Sequence, residues 1–183
     1  VIHRDVKPSN IMLDITARAI LTDFGLVLIQ SDGTRGGVLG TPHYLAPEQA
    51  KSSANAGPTS DLYSMGVIMY EMFTNVRPFD AKKPIEVAMM HIAQAPRPPR
   101  ELRPELSEEI EHVILKAMAK KPADRYQSGV ELTTALEEAI RMGKIEEFDP
   151  TIPRPIPAGS IMSRTLSVPL PDDARDQLET EAS

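Results

Sequence analysis

Apolar positions recur along the chain in two rhythms. Near the start, Val1-Ile2 and Ile11-Met12-Leu13 bracket a polar loop holding His3, Arg4, Asp5, Lys7 and Asn10, and residues 19–22, AILT, form a third apolar run. These runs predict short strands, the last two paired as a hairpin across residues 14–18. Further on the rhythm is helical. Residues 62–73, LYSMGVIMYEMF, are apolar around nearly the whole circumference, which predicts a helix buried on all sides, with Ser60 or Thr59 capping its start and Asp61 in its first turn. In PIEVAMMHIAQ, opened by Pro84, the residues Ile85, Ala88, Met89 and Ile92 fall at helical spacing and are read as core packing, with a docking surface for partners as the other reading of part of that face. Residues 96–104, PRPPRELRP, predict an extended connector. Ser107 caps a helix with the stripe Ile110, Val113, Ile114, Ala117 and Met118, and Ser128 with Glu131 forms a capping box for a last helix through Val130, Leu132, Leu136 and Ile140.

Two stretches break the rhythm. Residues 30–40, QSDGTRGGVLG, have no apolar period and three glycines after Asp32, the composition of a loop. After Met142 come Pro150, Pro153, Pro155 and Pro157 and then an acidic, polar end, so a compact domain over residues 1–142 and a disordered tail over 143–183 are expected. The fold class is mainly α with one small β-hairpin.

Charge and composition mainly exclude. A net charge of -6 offers no general basic surface for nucleic acid, and the absence of cysteine rules out disulfides and thiolate metal sites. No apolar run approaches the roughly 20 residues needed to span a bilayer, and no leader pattern opens the sequence. A cytoplasmic protein is the default, or one on the cytoplasmic face of a membrane if a span lies elsewhere.

The first loop carries side chains suited to phosphoryl transfer, which needs groups that orient a hydroxyl, hold Mg²⁺ and neutralise the transferring oxygens. Asp5 can accept a proton from an attacking hydroxyl. Lys7 is a point charge two residues away, and Asn10 and Asp23 are hard oxygen donors of the kind Mg²⁺ prefers. Gly25 allows a sharp turn behind Asp23.

The order H-R-D-x-x-x-x-N at residues 3–10, D-F-G at 23–25 and A-P-E at 46–48 resembles the protein-kinase family of the Hanks type, with Val6 in place of the usual leucine. Lys7, in Asp-x-Lys-x-x-Asn, is similar to the serine/threonine branch. The resemblance implies ATP and Mg²⁺ as cofactors, Asp5 as base, Asn10 and Asp23 as metal ligands, and Lys7 on the transferring phosphate. Thr41, in GTPHYLAPE, is implied to bond Asp5 and Lys7, and Met12 to form the floor under adenine, with plain core packing as its other reading. Arg4 resembles an arginine that pairs with a phosphate on the loop after D-F-G; Thr34 is the first candidate for that phosphate and Ser31 the second, against both being ordinary loop hydroxyls. His3, Phe24, Glu48, Asp61 and Arg125 are implied anchors: Asp61 receiving N–H groups near His3 and Arg4 rather than only capping its helix, and Arg125 pairing with Glu48. His43 is read as a surface residue. Because the sequence opens at the catalytic loop, the resemblance covers a C-terminal lobe alone, and the N-terminal lobe with its Gly-rich loop and lysine is an expected missing partner beside a protein substrate with serine or threonine. The isolated polypeptide is then expected to be poorly folded and inactive. The alternative reading is a non-catalytic binding or regulatory fragment.

Overall fold

A computed structural model describes residues 2–24 and 42–143. Val1, Gly25, Ser31, Thr34, Thr41 and the tail from residue 144 lie outside the described residues, and with them the expectations placed there. The elements are β1 (Ile11–Leu13), β2 (Ala19–Leu21), α1 (Pro47–Lys51), α2 (Pro58–Thr74), α3 (Pro84–Ala93), α4 (Pro99–Leu102), α5 (Glu108–Ala117) and α6 (Gly129–Met142). Short 3-10 turns at Pro8–Asn10, Pro42–Tyr44, Ser53–Asn55 and Pro122–Asp124 link them. None of the described helices is long and apolar enough to cross a membrane.

The predicted hairpin forms, antiparallel with Ile11 opposite Leu21 and Leu13 opposite Ala19. Asp14 builds its turn, one carboxylate oxygen accepting from the Thr16 N–H, the Thr16 hydroxyl and the Arg18 N–H, while Ala17 takes a left-handed φ of 60°. Ile2, by contrast, is not in a strand, so among the described residues the loop at residues 3–10 is flanked by a strand at its far end only.

Helix α2 starts four residues earlier than the apolar pattern predicts. Pro58 opens it after Gly57, and Ser60, three residues in, accepts from the Gly57 N–H at 3.0 Å instead of capping from outside. Nor is it buried all round, since Met72 is 68% exposed. Tyr63, Val67 and Tyr70 face the core, and Gly66 lets α5 approach so closely that an added Cβ would meet Ala117 Cβ and Met118 Cγ at 2.9 Å. The predicted stripe of α5 is buried at every position, and Ser107 caps it by accepting from the Ile110 N–H. On α6 the cap is again as expected at Ser128, but Glu131 reaches back to the Gln127 N–H, and Val130 and Ile140 face solvent while Leu132 and Ala139 are buried. The 96–104 connector contains the short α4 because Pro99 supplies a helical φ at its first position.

Helix α3 is rotated relative to the sequence reading. Ile85 and Met89 are exposed, and the buried face is Val87, Ala88 and His91. With five apolar residues among six at 87–92, the period is ambiguous, and a polar contact decides it: the Tyr63 hydroxyl lies 2.9 Å from His91 Nδ1. The His91 ring packs edge-on against Phe79, and its carbonyl accepts from Lys120 Nζ, which lies over the Phe79 face. Burial, reinforced by the Lys120 charge, pushes the His91 imidazole down to about 3, and burial beside Arg125 lowers the Lys120 amine to about 8. An unfolded chain therefore binds a proton below about pH 6.5 that the folded His91 refuses. Stability should fall as the pH drops from about 6.5 toward 3, by at most about 1.4 kcal/mol per unit from this group. Urea unfolding of the full-length protein at pH 7 and pH 5 should show the loss, and His91→Gln should flatten it.

Candidate functional site

The loop from His3 to Asn10 is held against the helical body by side chains distant in sequence. Asp61, in the first turn of α2, accepts from the His3 N–H at 2.7 Å and the Arg4 N–H at 2.8 Å, one carboxylate oxygen to each. Gln49 of α1 donates from Nε2 to the Arg4 carbonyl at 2.9 Å. Between these contacts Arg4 holds a left-handed φ of 70°, a conformation that persists in a non-glycine residue when its surroundings over-determine it. The buried His3 ring spans to the hairpin. Its Nε2 lies 2.7 Å from the Thr22 carbonyl, which can only accept, so the proton is on Nε2 and Nδ1 accepts from the Asp5 N–H. Phe24, 59% exposed, packs edge-on against the same ring at 4.7 Å.

Asp5 is the meeting point. Its Oδ2 lies 2.7 Å from Lys7 Nζ and accepts from Asn10 Nδ2 at 3.1 Å, while Asn10 also donates to the Asp5 carbonyl. Its Oδ1 has no partner among the described residues, and the side chain is 41% exposed. Asn10 is buried, and its position is fixed from the hairpin, since Thr22 donates to the Asn10 carbonyl from both N–H and hydroxyl. Asp23 follows immediately, exposed and with a left-handed φ of 61°. Asn10 and Asp23 thus stand at the open end of one hairpin. Among the described residues no three His, Cys, Asp or Glu side chains cluster as a metal cage. A carboxylate and an amide oxygen are hard donors of the kind Mg²⁺ accepts, and that ion keeps several waters and needs no such cage. Met12, 60% exposed, is not core packing. Leu13, Ile15, Ile20 and Phe24, on or beside the hairpin, are likewise exposed apolar residues.

The segment from Pro42 onward is wired to the same body. Ser64 donates to the Tyr44 carbonyl, and the Tyr44 hydroxyl donates to Glu71 at 2.5 Å, a carboxylate that Arg77 also approaches. Burial, strengthened by Glu71, raises the Tyr44 phenol above its ordinary range. His43 lies at the edge of this body, its side chain 14% exposed and Nε2 3.2 Å from Asp80. Glu48 and Arg125 pair through two parallel bonds of 2.7 and 2.8 Å, and the fully buried guanidinium also donates to the Ala119, Thr59 and Lys120 carbonyls and lies over the Tyr63 ring. Burial raises the Glu48 carboxyl, but bonds from Arg125 and Ser60 outweigh it and hold the group below the ordinary glutamate range. The stability it contributes is complete above that range and is lost only as the pH falls below it.

Two residues of this network escape a reading by motif. Gln49 was signalled only by being polar in the first turn of a helix opened by proline, and Thr22 only by being polar at the end of an apolar run.

Residues 1–138 match the protein kinase domain family. The chain is 37% identical over 181 residues to a probable serine/threonine-protein kinase of Corynebacterium efficiens, covering 93% of this chain and 27% of that protein. It is 39% identical over 140 residues to the serine/threonine-protein kinase PknB of Mycobacterium leprae (74% and 22%), and 41% identical over 150 residues to a probable serine/threonine-protein kinase PknB of Corynebacterium glutamicum (77% and 23%). The chain spans about a quarter of the length of these relatives.

Proposed function

We propose, from the premise that this chain belongs to the protein kinase family, that it carries the catalytic loop and metal-binding half of a serine/threonine kinase transferring the terminal phosphoryl group of ATP to protein hydroxyls. The observation that carries this reading is the convergence of Lys7 and Asn10 on one oxygen of Asp5, the other oxygen having no partner among the described residues. That second oxygen suits Asp5 to accept a hydrogen bond from a serine or threonine hydroxyl and take its proton late in the step. Lys7 supplies positive charge within reach of the transferring oxygens. Asn10 and Asp23 would hold Mg²⁺, which when bound neutralises charge on the phosphates. Thr41 is proposed to bond Asp5 and Lys7 from the substrate side, and phosphorylated Thr34 or Ser31 to engage Arg4.

The described fold corresponds on this reading to a kinase C-terminal lobe. The exposed hairpin residues Met12, Ile20 and Phe24 suit cover by adenine and by an N-terminal lobe carrying the Gly-rich loop and its lysine. The full-length protein with Mg²⁺ and ATP labelled at the terminal phosphate should phosphorylate serine or threonine in a generic protein substrate. Absence of transfer under conditions where ATP binds would overturn the reading in favour of a binding or regulatory role. Within it, Asp61→Ala should lower kcat about ten- to a hundredfold, because the loop loses the acceptor for two N–H groups and Asp5 its aim. A kcat within twofold of the parent, from steady-state assays, would show that the loop is held without it.

A further inference from the structure

We propose that Gln49 is a positioning residue of this site, its carboxamide locking the peptide unit that aims Asp5. The proposal rests on the phosphotransfer reading above and concerns a residue outside the motifs. The unit between Arg4 and Asp5 is held at both ends: its oxygen accepts from Gln49 Nε2 at 2.9 Å and its N–H donates to His3 Nδ1 at 3.3 Å. The opposite face of the Gln49 amide is also fixed, Oε1 accepting from the Ala46 N–H at 3.2 Å, so the amide can be placed in one orientation only. Gln49 is 9% exposed, and an unpaired amide there would be costly. Asp61 holds Arg4 from its N–H and cannot restrain its carbonyl. Without Gln49 the left-handed Arg4 keeps its cost and loses the contact that opposes rotation of the next peptide, on which the Asp5 side chain rides. The neighbouring Glu48 points the other way, to Arg125, so α1 joins the catalytic loop to the helical body through two adjacent side chains.

The test uses Gln49→Glu and Gln49→Met in the full-length protein. In Gln49→Glu the ionised carboxylate keeps the bond from Ala46 and turns a second acceptor toward the Arg4 carbonyl; when protonated, its O–H can donate there again. Burial and the facing carbonyl raise that carboxyl above the ordinary value, so recovery belongs on the acid side. The ionisable groups meeting here, His3, Arg4, Asp5, Glu48 and Asp61, are common to parent and variant, so the ratio of their kcat values isolates position 49. The expected result is a kcat about tenfold below the parent at pH 8.5, converging on it toward pH 5.5, with the KM for ATP within about twofold. Gln49→Met, which fills the space without either bond, should show a similar loss that does not vary with pH, and it decides the matter if the glutamate variant fails to fold. A flat ratio for Gln49→Glu, or a kcat for Gln49→Met within twofold of the parent, overturns the proposal while leaving the phosphotransfer reading intact. A parent protein without phosphotransfer overturns both.

Discussion

Asp5→Asn in the full-length protein should reduce kcat by roughly a thousandfold while the KM for ATP stays within a few-fold. A positioned base contributes about 10² to 10⁴ in rate, and the change removes the proton acceptor while keeping the shape of the side chain. The surroundings make this a clean substitution. Oδ2 already serves Lys7 and Asn10, so the loop's internal bonds depend on that oxygen, whereas chemistry on the proposed reading depends on Oδ1. An asparagine can present its carbonyl oxygen to the two donors and leave its amide nitrogen toward solvent. Folding should be nearly unchanged by urea unfolding, and steady-state kinetics in both substrates should place the loss in the chemical step. Turnover within tenfold of the parent would remove Asp5 from the role of base.

Arg125→Leu is expected to destabilise the fold by about 3 to 5 kcal/mol, the range for breaking a buried pair from one side. The side chain has no exposed surface and donates five bonds: two to the Glu48 carboxylate and one to each of three backbone carbonyls. Leucine would leave Glu48 with Ser60 alone and the carbonyls without their donor. Glu48→Gln should cost less, since an amide can still accept from the guanidinium, and the double replacement should cost less than the sum because the buried charge is then absent on both sides. Urea unfolding at neutral pH measures all three. A loss under 1 kcal/mol for Arg125→Leu would mean that water reaches Glu48 readily and that the pair is peripheral.

Much of the fold could be read before any coordinates. Hairpin and terminal helices are specified locally: Asp14 organises its own turn, and Ser107 and Ser128 each stand three residues before the N–H they accept. Where the reading failed, the deciding contact was distant. His91 turns α3 because Tyr63, 28 residues earlier, offers a hydroxyl, and nothing in the run of apolar residues around it announces that partner. Likewise Gln49 is defined by a carbonyl 45 residues away. The contact of His43 with Asp80 was equally unannounced, its partner lying beyond two helices. The candidate site was legible as a set of residue types, since Asp5, Lys7 and Asn10 lie within six positions of one another. Its geometry was not, because the His3 bridge to Thr22 and the left-handed backbone at Arg4 are tied to tertiary contacts.

The short α1 has a bearing on the order of assembly. Five residues cannot sustain a helix unaided, and this one is held by Arg125 near the start of α6, by Ser60 in α2, and by the loop at Arg4. As the protein leaves the ribosome, the segment bearing Asp5 emerges long before Arg125 does. The segment bearing Asp5 must therefore wait, incomplete, for a later one, and a nascent chain cannot present this loop in its finished form until the helices that support it have been made.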